Sequence, residues 1–108
     1  MFKIILLTLV SFNVYALEDY TGKKYEVVTI GDRTVSAECE KSDCLAKTVK
    51  IGHGDTLDGE DPAAVSCIEV LKGAPLQLHD GNYNEESFCV LSDGSMIDFG
   101  SIRADLII

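Results

Sequence analysis

"DPAAVSCIEVLKGA", residues 61–74, decides how the rest of the chain is read. Asp61 is placed to cap a helix, because its carboxylate can accept from free backbone N–H groups. Pro62 suits the first helical position, where no N–H is needed, and Gly73 suits the position just past the end. Ala64, Cys67, Ile68 and Leu71 fall at i, i+3, i+4 and i+7, one face of a helix. The spacing predicts a helix over about 62–72, with Cys67 on the buried stripe and Glu69 and Lys72 toward solvent. A cysteine so placed attacks a substrate, holds a metal, or ties the helix to a sheet beneath it.

The compartment bears on that choice. The chain opens "MFKIILLTLVSFNVYALEDY". Lys3 precedes an apolar run from Ile4 to Val10, and Val14 and Ala16 are small residues at the −3 and −1 positions of a cleavage site. This is the pattern of a signal peptide over 1–16, cut after Ala16. The run is too short for a permanent span, which needs about 20 apolar residues. Cleavage would leave residues 17–108 as a periplasmic or secreted protein with no membrane insertion.

The mature chain carries 18 acidic residues against eight Lys and Arg, since the ninth basic residue, Lys3, lies in the leader. Such an acidic chain is a poor match for nucleic acid or for anionic lipid. It is also small enough for cross-links to matter to its stability.

The cysteines are Cys39, Cys44, Cys67 and Cys89. An even count in a small exported chain reads as two disulfides, for which three connectivities exist. Cys39–Cys44 with Cys67–Cys89 is favoured, because each pair falls within one local unit. Zinc is a weaker reading. "CEKSDC" has workable spacing, but Cys67 and Cys89 are single, and His53 and His79 are isolated. A nucleophilic Cys67 would need a base such as His79, and an oxidising compartment argues against a free thiol. No metal, cofactor or catalytic residue is assigned; the sequence has no G-x-S-x-G, H-E-x-x-H or phosphate-binding glycine loop.

Residues 17–52 read as a β-rich first half. "KYEVVTIGD" starts a strand at Lys24 that turns at Gly31-Asp32. "RTVSAEC", residues 33–39, alternates as a strand, and "CLAKTVKIG", residues 44–52, reads as the next, giving a three-stranded meander. One conflict stands out. Setting Cys39 opposite Cys44 puts Leu45, Val49 and Ile51 on the face away from Val35 and Ala37, so both faces become mixed.

"GHGDTLDGED" reads as an acidic, exposed connection, with 53–60 as the linker between halves. Neither it nor "HDGNYNEES" fits the spacing of an EF-hand calcium loop. A calcium site of another kind through Asp55, Asp58, Glu60 and Asp61 is a further alternative. Residues 61–108 then form a helix plus β-hairpin module. "APLQLHD" and "SFCVLSDGSMIDFG" supply strands, with an Asp-Gly turn at 93–94, and "SIRADLII" is expected to dock as a last strand. The fold class expected is α+β: a small disulfide-stapled domain of antiparallel strands with one short helix.

Pro62, Ala63 and Cys67, then Cys89, Leu91, Asp93 and Gly94, with Asp98 and Arg103 beyond, resemble a small exported bacterial family that carries a hemolysin label. In that family the first block runs Asn-Pro-Ala-Ser, two residues, Cys; the second runs Cys, a hydrophobic residue, Pro-Asp-Gly, an acid and an aromatic residue. Here Asp61 stands for Asn, Ala64 for Ser and Ser92 for Pro, and Phe99 stands in for the family's tryptophan. The cysteines found near the end of many members are absent. The resemblance covers residues 61–103. It implies a helix-plus-strands module with a Cys67–Cys89 bridge in an exported protein. The label brings no mechanism, and no segment here reads as membrane-inserting.

The function expected is a non-enzymatic binding module of the cell envelope or secretome, with a protein or envelope partner. The candidate binding loops hold Asp55, Asp58 and Glu60, and Asp80, Asn82, Tyr83, Glu85 and Glu86. The alternative is a secreted protease-type inhibitor that inserts a braced loop, 40–43 or 80–88. A hemolysin-like toxin is the third reading.

Overall fold

The computed structural model describes residues 14–57 and 59–107. Most of the expected leader, Asp58 and Ile108 lie outside the described residues. The strands are β1 (Val14–Glu18), β2 (Lys24–Ile30), β3 (Arg33–Ser36), β4 (Ala74–His79), β5 (Glu85–Val90) and β6 (Met96–Asp98). Every pairing is antiparallel. Together they close a barrel in the order β1-β2-β3-β6-β5-β4. The helices are α1 (Leu45–Thr48), α2 (Pro62–Val65), which runs on as a π-turn over Ser66–Val70, and α3 (Phe99–Leu106). Strands, short helices and stapling are as expected, but the single helix on open strands is replaced by a closed barrel with several helices outside it.

The strands follow from local chemistry. "KYEVVTI" is rich in β-branched residues, which suit a pleated surface. Gly31, at φ +64°, makes the two-residue turn from β2 into β3. Gly94, at φ +88°, serves the turn from β5 into β6.

Alternation along the strands builds two cores. Leu17, Val27, Leu78, Phe88 and Met96 form one cluster. Their neighbours in sequence, among them Val28, Cys89 and Ile97, pack with helical Ala46, Ala63, Cys67 and Ile102 in another. A six-stranded barrel is too narrow to hold a helix, so the first cluster fills the lumen and the second lies between wall and helices.

Both disulfides form as expected, Cys39–Cys44 and Cys67–Cys89, with Cα separations of 5.4 and 5.7 Å. All four cysteines belong to the outer core. Asp61 caps α2 by accepting from Ala63 N at 3.0 Å, and Pro62 takes the first helical turn.

Four local expectations are corrected. Strand β3 stops at Ser36, and Ala37–Glu40 is a 3₁₀ turn carrying Cys39. Residues 45–48 are helical rather than extended. Helical geometry removes the face conflict, because Ala46 turns into the core while Leu45 stays exposed. Of the predicted stripe, Cys67 is buried and Ala64 and Leu71 pack partly buried against the core, but Ile68 faces solvent, and Ala63, Val65 and Ser66 are buried as well. The buried face is centred on Ala63, Ser66 and Cys67, at i, i+3 and i+4, a phase that leaves Ile68 outside; from Ser66 the helix widens into the π-turn. Leu71 N reaches back to Ser66 O at 2.9 Å and Gly73 N to Cys67 O at 2.8 Å. Finally, the C-terminal segment docks, but as α3, because Asp98 accepts from Ser101 N at 2.9 Å as its N-cap.

Gly73 owes its place to a close approach, not to positive φ. A Cβ there would press on Cys89 Sγ and lie 2.8 Å from Val90 O. The left-handed residue is Lys72, at φ 57°.

Residues on both sides of 53–60 share the barrel. Glu18 pairs with His79 at one seam and Val35 with Ile97 at the other. The connection itself packs on the second helix, with Ser66 Oγ donating to Gly52 O at 2.7 Å. Val14, Tyr15 and Ala16, expected to leave with the leader, pair with Val28, Val27 and Glu26 in β1. All three are exposed, and Leu17, the first residue after the expected cut, is buried.

Candidate functional site

The Glu18–His79 pairing brings two turns together at one end of the barrel: 19–23 between β1 and β2, and 80–84 between β4 and β5. Each is organised by one aspartate. Asp19 accepts from Thr21 N at 2.8 Å, Thr21 Oγ1 at 2.6 Å, Lys23 N at 3.0 Å and Tyr25 OH at 3.1 Å. The Thr21 hydroxyl leads the effects that hold its carboxyl at about 2. Asp80 accepts from Asn82 N at 2.7 Å and from Asn84 Nδ2 at 2.8 Å. Asn84 is the main cause of its lowered pKa. Aspartate and asparagine favour such turns because their side chains replace backbone partners.

These turns present aromatic rings. Tyr83 is 102% exposed and sits at φ 72°. A non-glycine residue in that region is uncommon, and such positions cluster where ligands are held. Tyr20 is 64% exposed. Its ring lies against His79 with centroids 4.8 Å apart, and its hydroxyl donates to Glu85. Gln77 Nε2 also donates to Glu85, at 2.9 Å. Tyr20, then Gln77, hold the Glu85 carboxyl below its usual range. The face therefore offers two tyrosines and fixed carboxylates on turns that are internally hydrogen-bonded.

The candidate residues divide accordingly. Asp80, Asn82, Tyr83 and Glu85 meet on this face. Glu86 turns the other way, because it pairs with Leu78 and shares its lumen-facing side. There it lies near Tyr15 and Asp98, and its Oε1 is buried with no hydrogen-bond partner among the described residues. Burial, then Asp98 and Asp80, push the Glu86 carboxyl up. Burial, then Glu86, push the Tyr15 phenol up. A cleft of about 410 Å³ opens beside Glu86 and Asp98, with Asp61 and Arg103 on its wall. Asp98 is already engaged in capping α3, and Arg103 pairs with Asp61 at 2.7 Å.

Asp55 and Glu60 lie apart from the hairpin face. Asp55 N donates to Glu69 Oε1 at 3.1 Å, and Leu57 N to Glu60 Oε1 at 2.7 Å. No group of three or more metal-ligating side chains is arranged to hold a metal among the described residues. His53 Nε2 lies 3.1 Å from Leu106 O, so it ties the connection to the end of α3. Tyr20 and His79 were not among the expected site residues. The signal for Tyr20 was present in "EDYTGKKY", where Asp19, Thr21 and Gly22 carry turn chemistry around the tyrosine.

No protein family, curated protein or solved structure matches the chain. Among the described residues, no helix is long and apolar enough to cross a membrane.

Proposed function

We propose that this is an exported, non-enzymatic binding module that engages a protein or envelope partner through the two-turn face. One observation carries the reading: two internally bonded turns, side by side, present Tyr20 and Tyr83 to solvent. Exposed tyrosines on a rigid frame suit recognition, because a ring contributes a large contact area at low entropic cost. The two disulfides and the leader pattern support export, as does the resemblance of residues 61–103 to an exported family.

The test is retention of partners from the native envelope fraction by the oxidised protein, against Tyr83→Ala and Tyr20→Ala variants. Both side chains are solvent-exposed, so the variants fold. The reading expects a component held by the wild type and lost with Tyr83→Ala. It fails if nothing is retained, or if retention ignores both tyrosines.

A protease-type inhibitor is the second reading, favoured by the fixed, protruding conformation of Tyr83 on the 80–84 turn. Inhibition of one member of a protease panel, abolished by Tyr83→Ala, would select it. The third reading, a toxin, is tested by lysis of red cells or liposomes.

A further inference from the structure

The second helix, buried along Ala63, Ser66 and Cys67, leaves an apolar residue on its far side. Ile68 lies four residues after the partly buried Ala64, on the same side of the helix. It stands 53% exposed above a shallow groove of about 250 Å³. Ala64, Val65 and Ile68 make its apolar lining, and Glu60, Asp61 and Glu69 make its rim. π-turns within helices are often found at functional sites. The rim is held in place, since Glu60 and Glu69 each accept a backbone N–H from the 52–60 connection. Asp61 is already matched by Arg103, which leaves Glu60 and Glu69 as the charges offered to a visitor.

We infer that this groove docks a basic segment of a partner protein, seating one apolar side chain against Ile68 between Glu60 and Glu69. Charge selects that occupant. An apolar floor under carboxylates favours an aliphatic or aromatic anchor flanked by Lys or Arg. A second copy of this chain, with a net charge of −9, would bring like charges to the rim, and anionic lipid is disfavoured for the same reason. The groove shares no residue with the two-turn face, so it stands or falls separately from it.

The probe is a capped pentapeptide, Lys-Lys-Leu-Lys-Lys, titrated into the oxidised full chain and followed by amide chemical shifts. The control peptide carries serine in place of leucine. Expected shifts centre on Ala64, Val65, Ile68 and Glu69. The leucine peptide should bind about tenfold tighter than the serine peptide, the weight of burying one aliphatic side chain. Ile68→Ser should erase that difference, Glu60→Gln with Glu69→Gln should weaken both peptides, and Tyr83→Ala should change neither. Equal binding of the two peptides, shifts centred elsewhere, indifference to Ile68→Ser, or no binding overturns the inference.

Discussion

The two disulfides share one core and do different work. Cys39–Cys44 spans a sequence separation of 5 at a corner where β3 gives way to helical turns. Cys67–Cys89 spans 22 and fastens the second helix to the barrel wall at β5. The first tidies a turn that the chain must make anyway. The second fixes the relation of two elements that share no backbone hydrogen-bond ladder. Around it the structure is correspondingly tight, with a π-turn on one side and no room for a Cβ at Gly73 on the other. In so small a domain, the position of a bridge matters beyond its presence.

Removing the long bridge should show the largest effect. On the chain-entropy relation, Cys67→Ser with Cys89→Ser costs about 3 kcal/mol, a large part of the 5–15 kcal/mol typical of a domain. Urea unfolding should show a lowered midpoint. Cys39→Ser with Cys44→Ser should cost about 2 kcal/mol in the same assay. Equal losses would break the comparison, and a larger loss at the corner would reverse it.

Asp61→Ala comes next. It removes the α2 cap and the exposed pair with Arg103, for a loss of about 1 kcal/mol. Arg103→Ala should cost less, because the cap survives; equal losses would mean that the ion pair, not the cap, dominates.

The smallest effect is a pH dependence that sets the lumen rim against the turns. Glu86 has a raised pKa when folded, so the folded chain binds its proton more tightly. Its contribution is fully present below the ordinary value of 4.5 and is lost as pH rises through the folded value. Asp19 and Asp80 have lowered pKa values. Their contributions are present above the ordinary 3.8 and are lost as pH falls through the folded values. Stability should therefore rise as neutral solution is mildly acidified, then fall below the ordinary aspartate range. Glu86→Gln should flatten the first limb and leave the second. An unchanged first limb would show that Glu86 is not its source.

Much of this architecture is legible in the sequence where one local rule acts alone. Asp61 and Pro62 marked a helix start, the Val-rich run at 27–28 a strand, and Asp93-Gly94 a turn. The even cysteine count called for two bridges and locality favoured the pairing that forms, with three connectivities open. What failed did so where tertiary fit overrides period. Residues 44–52 read as a strand, yet Leu45–Thr48 winds into α1. There Asp93 Oδ2 accepts from Leu45 N at 2.8 Å and Ser95 Oγ from Ala46 N at 3.0 Å, both distant in sequence. Ile68 fits the helical stripe on paper, but the face that packs is centred on Ala63, Ser66 and Cys67, which leaves Ile68 outside. The terminal "IRADLII" is apolar enough for a strand, and Asp98 with Ser101 tips it to a helix. The candidate face was half visible: Asp80 to Glu85 could be read as a loop, but only the Glu18–His79 seam brings Tyr20 beside it.

The most direct measurement of the central claim, that a Cys67–Cys89 staple fastens the helix to the barrel wall, is peptide mapping of the non-reduced protein by mass spectrometry. The account predicts two linked fragments, Cys39 with Cys44 and Cys67 with Cys89, and no free thiol. A crossed pairing, or a free thiol at Cys67 or Cys89, would contradict it.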